Sequence, residues 1–261
     1  KTLLAVIIIF FSSCAEEKQR VEEQVRKEEY HAPYKEDNFV EHDRYSVPNN
    51  QIDYEFYWNG SNYYPIGWSR NGNIAFREFR EFDGAGGCQD KLIVQSMVTD
   101  KIIKDIQLDF FMDGSVGDWD DHCDSEKTWR KEIRTILKYL NRYEIQDNSF
   151  GFMNKSKQIT SNNREYKIKL SQDLLETYDG YNYEGANRTE YKLKVYVNGR
   201  SKTISKATIR AHNIDYVGYY KSPFEERIAI VLQYQDDQFG EYDNNGGIVI
   251  VGCDLHPRSW D

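Results

Sequence analysis

Glu190-Tyr191-Lys192-Leu193-Lys194-Val195-Tyr196-Val197-Asn198-Gly199 is the stretch that decides the fold. Its Tyr, Leu and Val side chains suit a half-buried pleated surface. It ends on Asn-Gly, the dipeptide that supplies the two positive-φ positions of a tight hairpin turn. Lys202–Ala211 then reads as the returning strand. Working outward, Glu165–Leu170 precedes this hairpin, and Tyr216–Tyr220, Arg227–Gln235 and Gly247–Cys253 follow it as further strands.

The amino-terminal half has the same grammar. Tyr54–Trp58 runs into Asn59-Gly60, and Tyr63–Trp68 into Asn71-Gly72. Asn73–Phe79, Lys91–Val98 and Lys101–Phe111 complete this set, with a glycine-rich loop at 83–88. One helix is expected over about 124–142. Trp129, Ile133, Ile136, Leu137 and Leu140 fall on one face. Asp124 or Ser125 can cap its start, with Glu126 in the first turn. Residues 144–163, rich in Asn, Ser and Lys, read as loop. The expected class is therefore α+β, mainly β, with antiparallel sheets built of hairpins and one amphipathic helix.

The two halves echo each other. Ile66-Gly67-Trp68 precedes Ile74-Ala75-Phe76, and Val217-Gly218-Tyr219 precedes Ile228-Ala229-Ile230. Each pair is followed by an acidic, glycine-containing loop (81–90 and 236–247) and an apolar strand (Leu92–Val98 and Ile248–Val251). Both halves thus share a strand–turn–strand–loop–strand plan. The segment Gly67–Phe76 resembles part of a β-propeller blade, but the chain lacks the regular period and the length of a propeller. The regions Trp68–Phe76 and Gly218–Val231 also resemble a family of uncharacterised secreted bacterial proteins, a likeness that implies no activity.

Residues 1–14 read differently. Lys1 precedes an unbroken apolar run, Leu3–Phe11, closed by Ser12-Ser13-Cys14. Nine apolar residues fall well short of the ~20 that span a bilayer, and the pattern is that of a secretory signal peptide. It resembles the signal peptide of a bacterial lipoprotein, with Phe11-Ser12-Ser13-Cys14 as the lipobox. That resemblance implies cleavage before Cys14, lipid on its thiol and acylation of the new amino terminus. It places the protein in the cell envelope, the outer membrane ahead of other sites. Residues 1–13 are then signal peptide, and 14–51 the lipidated cysteine and a polar tether. Residues 52–261 form a single globular domain. The tether carries dense charge from Glu16 to Glu29 with only Val21 and Val25 apolar, the composition of a solvated spacer.

Composition narrows the function. The 261 residues carry 43 acidic and 34 basic side chains, a net charge of −9. Lys1 is the only charge ahead of Cys14, so the mature chain is one unit more acidic. Such a chain is repelled by phosphate backbones, which argues against a nucleic-acid partner. Mean hydropathy is −0.79, so the surface is polar and the membrane is reached through lipid. With Cys14 lipidated, Cys88, Cys123 and Cys253 remain. Export favours a disulfide, and the two loop cysteines, Cys88 and Cys123, are the expected pair. Cys253, in an apolar run, is then a small buried hydrophobe.

The candidates for chemistry are few. Asp113, Asp118, Asp120 and Asp121 lie in a glycine-containing acidic stretch and are candidate calcium ligands, although their spacing is not that of an EF-hand loop. A solvated turn before the helix is the plainer reading. No other cofactor is called for. There is no Gly-x-Ser-x-Gly, no phosphate-binding glycine loop, and no set of histidines at zinc-ligand spacing. The crowd from Tyr54 to Trp68 reads as core and hairpin pairing. Tyr178, Tyr181 and Tyr183, in a loop rich in Asp, Gly and Asn, are candidate partner-binding residues. The reading these features support is a non-catalytic binding module for a protein or glycan partner, in one form an immunity or inhibitor protein facing a basic toxin. The alternatives are an envelope hydrolase using paired carboxylates and a calcium-stabilised adhesion-type domain.

Overall fold

The computed structural model describes residues 61–82, 87–112, 123–147, 150–176, 187–236 and 245–256, with 258 and 260. All lie within the compact unit Tyr45–Asp261. The chain is mainly β, as the hairpin pattern predicts. In order, the strands are β1 (Ser61–Trp68), β2 (Asn73–Phe82), β3 (Gly87–Ser96), β4 (Ile102–Met112), β5 (Gln146–Asp147), β6 (Gln158–Ser161), β7 (Arg164–Glu176), β8 (Arg188–Val197), β9 (Arg200–Arg210), β10 (Asn213–Lys221), β11 (Arg227–Asp236) and β12 (Asn245–Asp254). Two helices, α1 (Ser125–Lys131) and α2 (Ile133–Arg142), lie between β4 and β5.

Three antiparallel sheets form. The first has the order β4-β3-β2-β1-β5, the second β10-β11-β12 and the third β6-β7-β8-β9. Side-chain alternation stacks them. Along β11, Ile228, Ile230 and Leu232 join one core with Leu193, Val195 and Ile168 of the third sheet. Ala229 and Val231 point the other way and join Ile74, Phe76 and Ile93 of the first sheet. The short sheet is therefore the middle layer, buried on both faces, which is why β11 reads as an unbroken apolar run. The opposite face of the first sheet, with Ala75, Leu92 and Val94, packs on Trp129, Ile136 and Leu140 of the helices. The result is four layers: helices, first sheet, middle sheet, third sheet.

The turn chemistry follows the residues. Asn198 and Gly199 have φ of 49° and 77°, joining β8 to β9 in the tight hairpin their identity demands. Asn162 and Asn163, φ 49° and 56°, do the same between β6 and β7. Strands β5 and β6 thus lie in the stretch read from sequence as loop. The single helix expected over 124–142 is divided at Glu132, whose ψ of 8° leaves the helical region. Asp124 is its cap, accepting from the amides of Glu126 and Lys127 at 3.0 and 2.9 Å.

The echo between halves has a structural counterpart. β1-β2-β3 and β10-β11-β12 are both antiparallel meanders. Each has a register shift at its motif, between Pro65 and Gly67 in one and between Tyr216 and Gly218 in the other. One connecting segment lies against both. Its Gln146 and Asp147 pair with Trp68 and Gly67, and its Asn154 bridges to Tyr219. A Cβ on Gly67 would lie 1.9 Å from the Gln146 carbonyl oxygen, and one on Gly218 2.9 Å from that of Asn154. Between these two contacts, Phe150 is buried with its ring 5.7 Å from Trp68 and 4.8 Å from Tyr220. The glycines are needed because another backbone approaches there.

Candidate functional site: a cleft along the free edge of the middle sheet

Among the described residues the middle sheet has three strands, while the sheets on either side have five and four. Along its edge strand, β12, residues of both neighbouring sheets stand on either side. A cleft of about 410 Å³ runs there, within the range of roughly 300–1,000 Å³ typical of ligand sites. Its floor is Ile248, Val249, Ile250 and Val251 of β12. One wall is the first sheet, where alternation brings Phe76 and Glu78 of β2 and Ile93 and Gln95 of β3 to the same face, with Tyr63, Asp100 and Ile102 beside them. The other wall is Tyr191 of β8 and Ser205 of β9.

The polar groups in this apolar setting are held. The Tyr63 hydroxyl donates to Glu78 Oε1 at 2.9 Å. Tyr191 Oη and Ser205 Oγ are hydrogen-bonded at 3.0 Å. At one end, Gln95 Nε2 donates to the carbonyl of Ile250 at 2.9 Å, and Asp100 Oδ1 accepts the amide of Gly252 at 2.7 Å. Asp100 sits in the turn between β3 and β4 with φ of 60°. Its carboxyl is pushed up to about 6 by burial against β12, with the Gly252 amide and the Arg227 guanidinium pulling the other way. Arg227 Nη1 in turn donates to the Met97 carbonyl at 3.0 Å. That carbonyl lies against Gly252, where a Cβ would come within 1.8 Å of its oxygen.

The two side chains on β12 follow a backbone pattern. Ile250 O and Gly252 N point away from β11, because both bond to groups of the first sheet. In a parallel pair one residue donates to one carbonyl of its neighbour and accepts an amide two residues on. Gln95 and Asp100 together reproduce that pairing with side chains. The period of two then turns the amide and carbonyl of Ile248 outward into the cleft as well. Among the described residues no strand pairs with this edge.

On the opposite face of the first sheet, Arg77 and Asp90 form an ion pair, each side chain 1% exposed. Arg77 Nε donates to Asp90 Oδ1 at 2.8 Å. The guanidinium lies 5.2 Å from the Trp129 ring and 5.8 Å from Phe79. Burial pushes the Asp90 carboxyl up against the pull of Arg77, with Asp109 adding to the rise. This pair is closed off by the helices and joins the layers rather than facing a ligand.

Cys88 and Cys123 are bonded, with Cα atoms 5.6 Å apart, fixing the start of the helical layer to β3. Cys253 is a free, buried thiol pushed up to about 12 by desolvation. Tyr63 and Trp68 are core, as the aromatic crowding predicts. Cys14, the calcium candidates Asp113, Asp118, Asp120 and Asp121, and the tyrosines Tyr178, Tyr181 and Tyr183 lie outside the described residues. Among the described residues, no group of three or more His, Cys, Asp or Glu is placed to hold a metal ion.

Sequence reasoning missed Glu78, Gln95 and Asp100. Glu78 carried no distinct signal, since its strand also holds Arg77, Arg80 and Glu81. Asp100 carried none, since an acid between two strands is ordinary turn chemistry. Comparison with protein-family models, with curated proteins and with solved structures finds no match for this chain.

Proposed function

We infer that this chain is a non-catalytic binding module, tethered to a bacterial envelope through lipid on Cys14, that takes a protein or glycan partner. The observation that carries the reading is the cleft beside β12: an apolar and aromatic hollow with a few fixed polar groups, the usual make-up of a recognition site. Its two carboxylates are both engaged as acceptors, Glu78 from Tyr63 and Asp100 from Gly252, an arrangement suited to holding shape. The acidic balance of the chain fits a basic partner, as an immunity or inhibitor protein requires.

The test pairs capture with turnover. The full chain and an Ile102→Glu variant, altered at an exposed rim position, are used to retain partners from envelope extract and are screened against broad hydrolase substrates. A component retained by the parent and lost by the variant supports the reading. Turnover abolished by Glu78→Gln or Asp100→Asn overturns it in favour of a hydrolase with paired carboxylates. One observation favours that second reading, since an aspartate at about 6 in a cleft that also holds a second carboxylate can act as a general acid. The anchor is tested separately. Cells fed a clickable palmitate analogue label the parent and leave Cys14→Ala unlabelled; equal labelling contradicts the lipoprotein reading.

A further inference from the structure

We propose that the cleft is a vacant strand position, and that its occupant is an extended peptide segment of a partner, added as a fourth strand to the middle sheet along β12. The proposal rests on the binding-module reading and names the partner chemistry.

Three observations converge. The space beside β12 is walled by residues of the first sheet on one side and of the third sheet on the other, as an interior strand's is. Among the described residues no strand pairs with the floor of that space, and its backbone N–H and C=O groups form a template for strand addition. Gln95 and Asp100 already fill one end of the template with side-chain groups at strand-like positions, leaving the Ile248 stretch open. These groups give the occupant its conformation: an antiparallel or parallel strand, with alternate residues facing opposite walls. Residues on one side meet Phe76, Ile93 and Ile102, and those on the other meet Tyr191 and Ser205. The carboxylates in the cleft are Glu78 and Asp100, which select a basic residue among apolar neighbours. A glycan satisfies the aromatic walls but offers no backbone ladder for β12.

The test uses a phage-displayed library of random ten-residue peptides selected on the full chain, and one variant, Ile248→Pro. Proline removes the outward amide of residue 248 while leaving the neighbouring amides that face β11, a substitution that edge strands accept. The variant is first shown to keep the parent's melting profile. Val249→Pro, which removes an inward amide, is the control that unfolds. Expected are selected peptides with alternating apolar positions and at least one Lys or Arg, binding Ile248→Pro at least tenfold more weakly. A library that yields no binder, or binders that hold Ile248→Pro as tightly as the parent, overturns the proposal. A glycan from the same envelope extract that protects the cleft while peptides fail keeps the binding-module reading and discards the strand.

Discussion

Asp100 Oδ1 accepts the backbone amide of Gly252 at 2.7 Å, across 152 residues of sequence. This bond, with its neighbour from Gln95 to Ile250, ties the first sheet to the edge of the middle one. It also costs something. The carboxylate loses water against β12, and its pKa rises from 3.8 to about 6.

The sign of the resulting pH dependence is fixed. The folded chain binds this proton more tightly than the unfolded chain, so the contribution of Asp100 to stability is full below pH ~4 and is lost as pH rises through about 6. Solvent reaches the residue and screens part of the penalty, so the expected loss is about 1 kcal/mol. Asn at position 100 tolerates the positive φ and offers an oxygen to Gly252. Urea unfolding of parent and Asp100→Asn at pH 4 and pH 7 should show the variant gaining relative to the parent at pH 7. An unchanged difference between the two pH values contradicts this account.

Gly252→Ala should be among the most damaging single changes in the chain. The added Cβ meets the Met97 carbonyl oxygen, a backbone atom that cannot turn aside. Overpacking costs about 1–3 kcal/mol and more when backbone must move. A midpoint within experimental error of the parent in urea would show that the two sheets are not in close contact there.

The Arg77–Asp90 pair should behave as a buried pair does. Asp90→Leu or Arg77→Met alone leaves an uncompensated group under the helices and costs about 3–5 kcal/mol. The double replacement Arg77→Met with Asp90→Leu recovers much of that loss. Additive penalties in the double-mutant cycle would show that the pair is not coupled.

The Cys88–Cys123 bond closes a separation of 35 residues. On the chain-entropy model its removal by Cys88→Ser with Cys123→Ser costs about 3–4 kcal/mol. Cys253 should stay unreactive toward Ellman's reagent until the chain unfolds, being buried with its thiol held at about 12. Labelling of Cys253 itself in the native chain, read by peptide mass, would place it nearer the surface than its packing allows.

What was legible in sequence was whatever depended on neighbours along the chain. Asn198-Gly199 announced its hairpin because two positive-φ residues leave few alternatives. The Ile66-Gly67-Trp68 and Val217-Gly218-Tyr219 echo announced the paired meanders, since both glycines answer the same need, room for a passing backbone. β5 was hidden because two residues, Gln146 and Asp147, cannot show a period. The division of the helix at Glu132 was hidden because hydrophobic spacing continues across it from Trp129 to Ile136. The cleft was hidden for a different reason. Glu78, Gln95, Asp100, Ser205 and Ile250 come from distant parts of the chain, and the space among them lies where the edge of one sheet ends between two others. No local pattern encodes which edge of one layer ends between two others.

The open edge of β12 is the central claim, and amide hydrogen exchange at β12 of the full chain tests it most directly. If the outer edge of β12 is free, the outward amide of Ile248 exchanges rapidly while the amides of Val249 and Val251, paired to Leu232 and Ile230 of β11, are protected. Protection at Ile248 equal to that at Val249 in the unliganded protein would mean that the position is already filled by the chain itself, and would contradict both the open edge and the partner strand proposed for it.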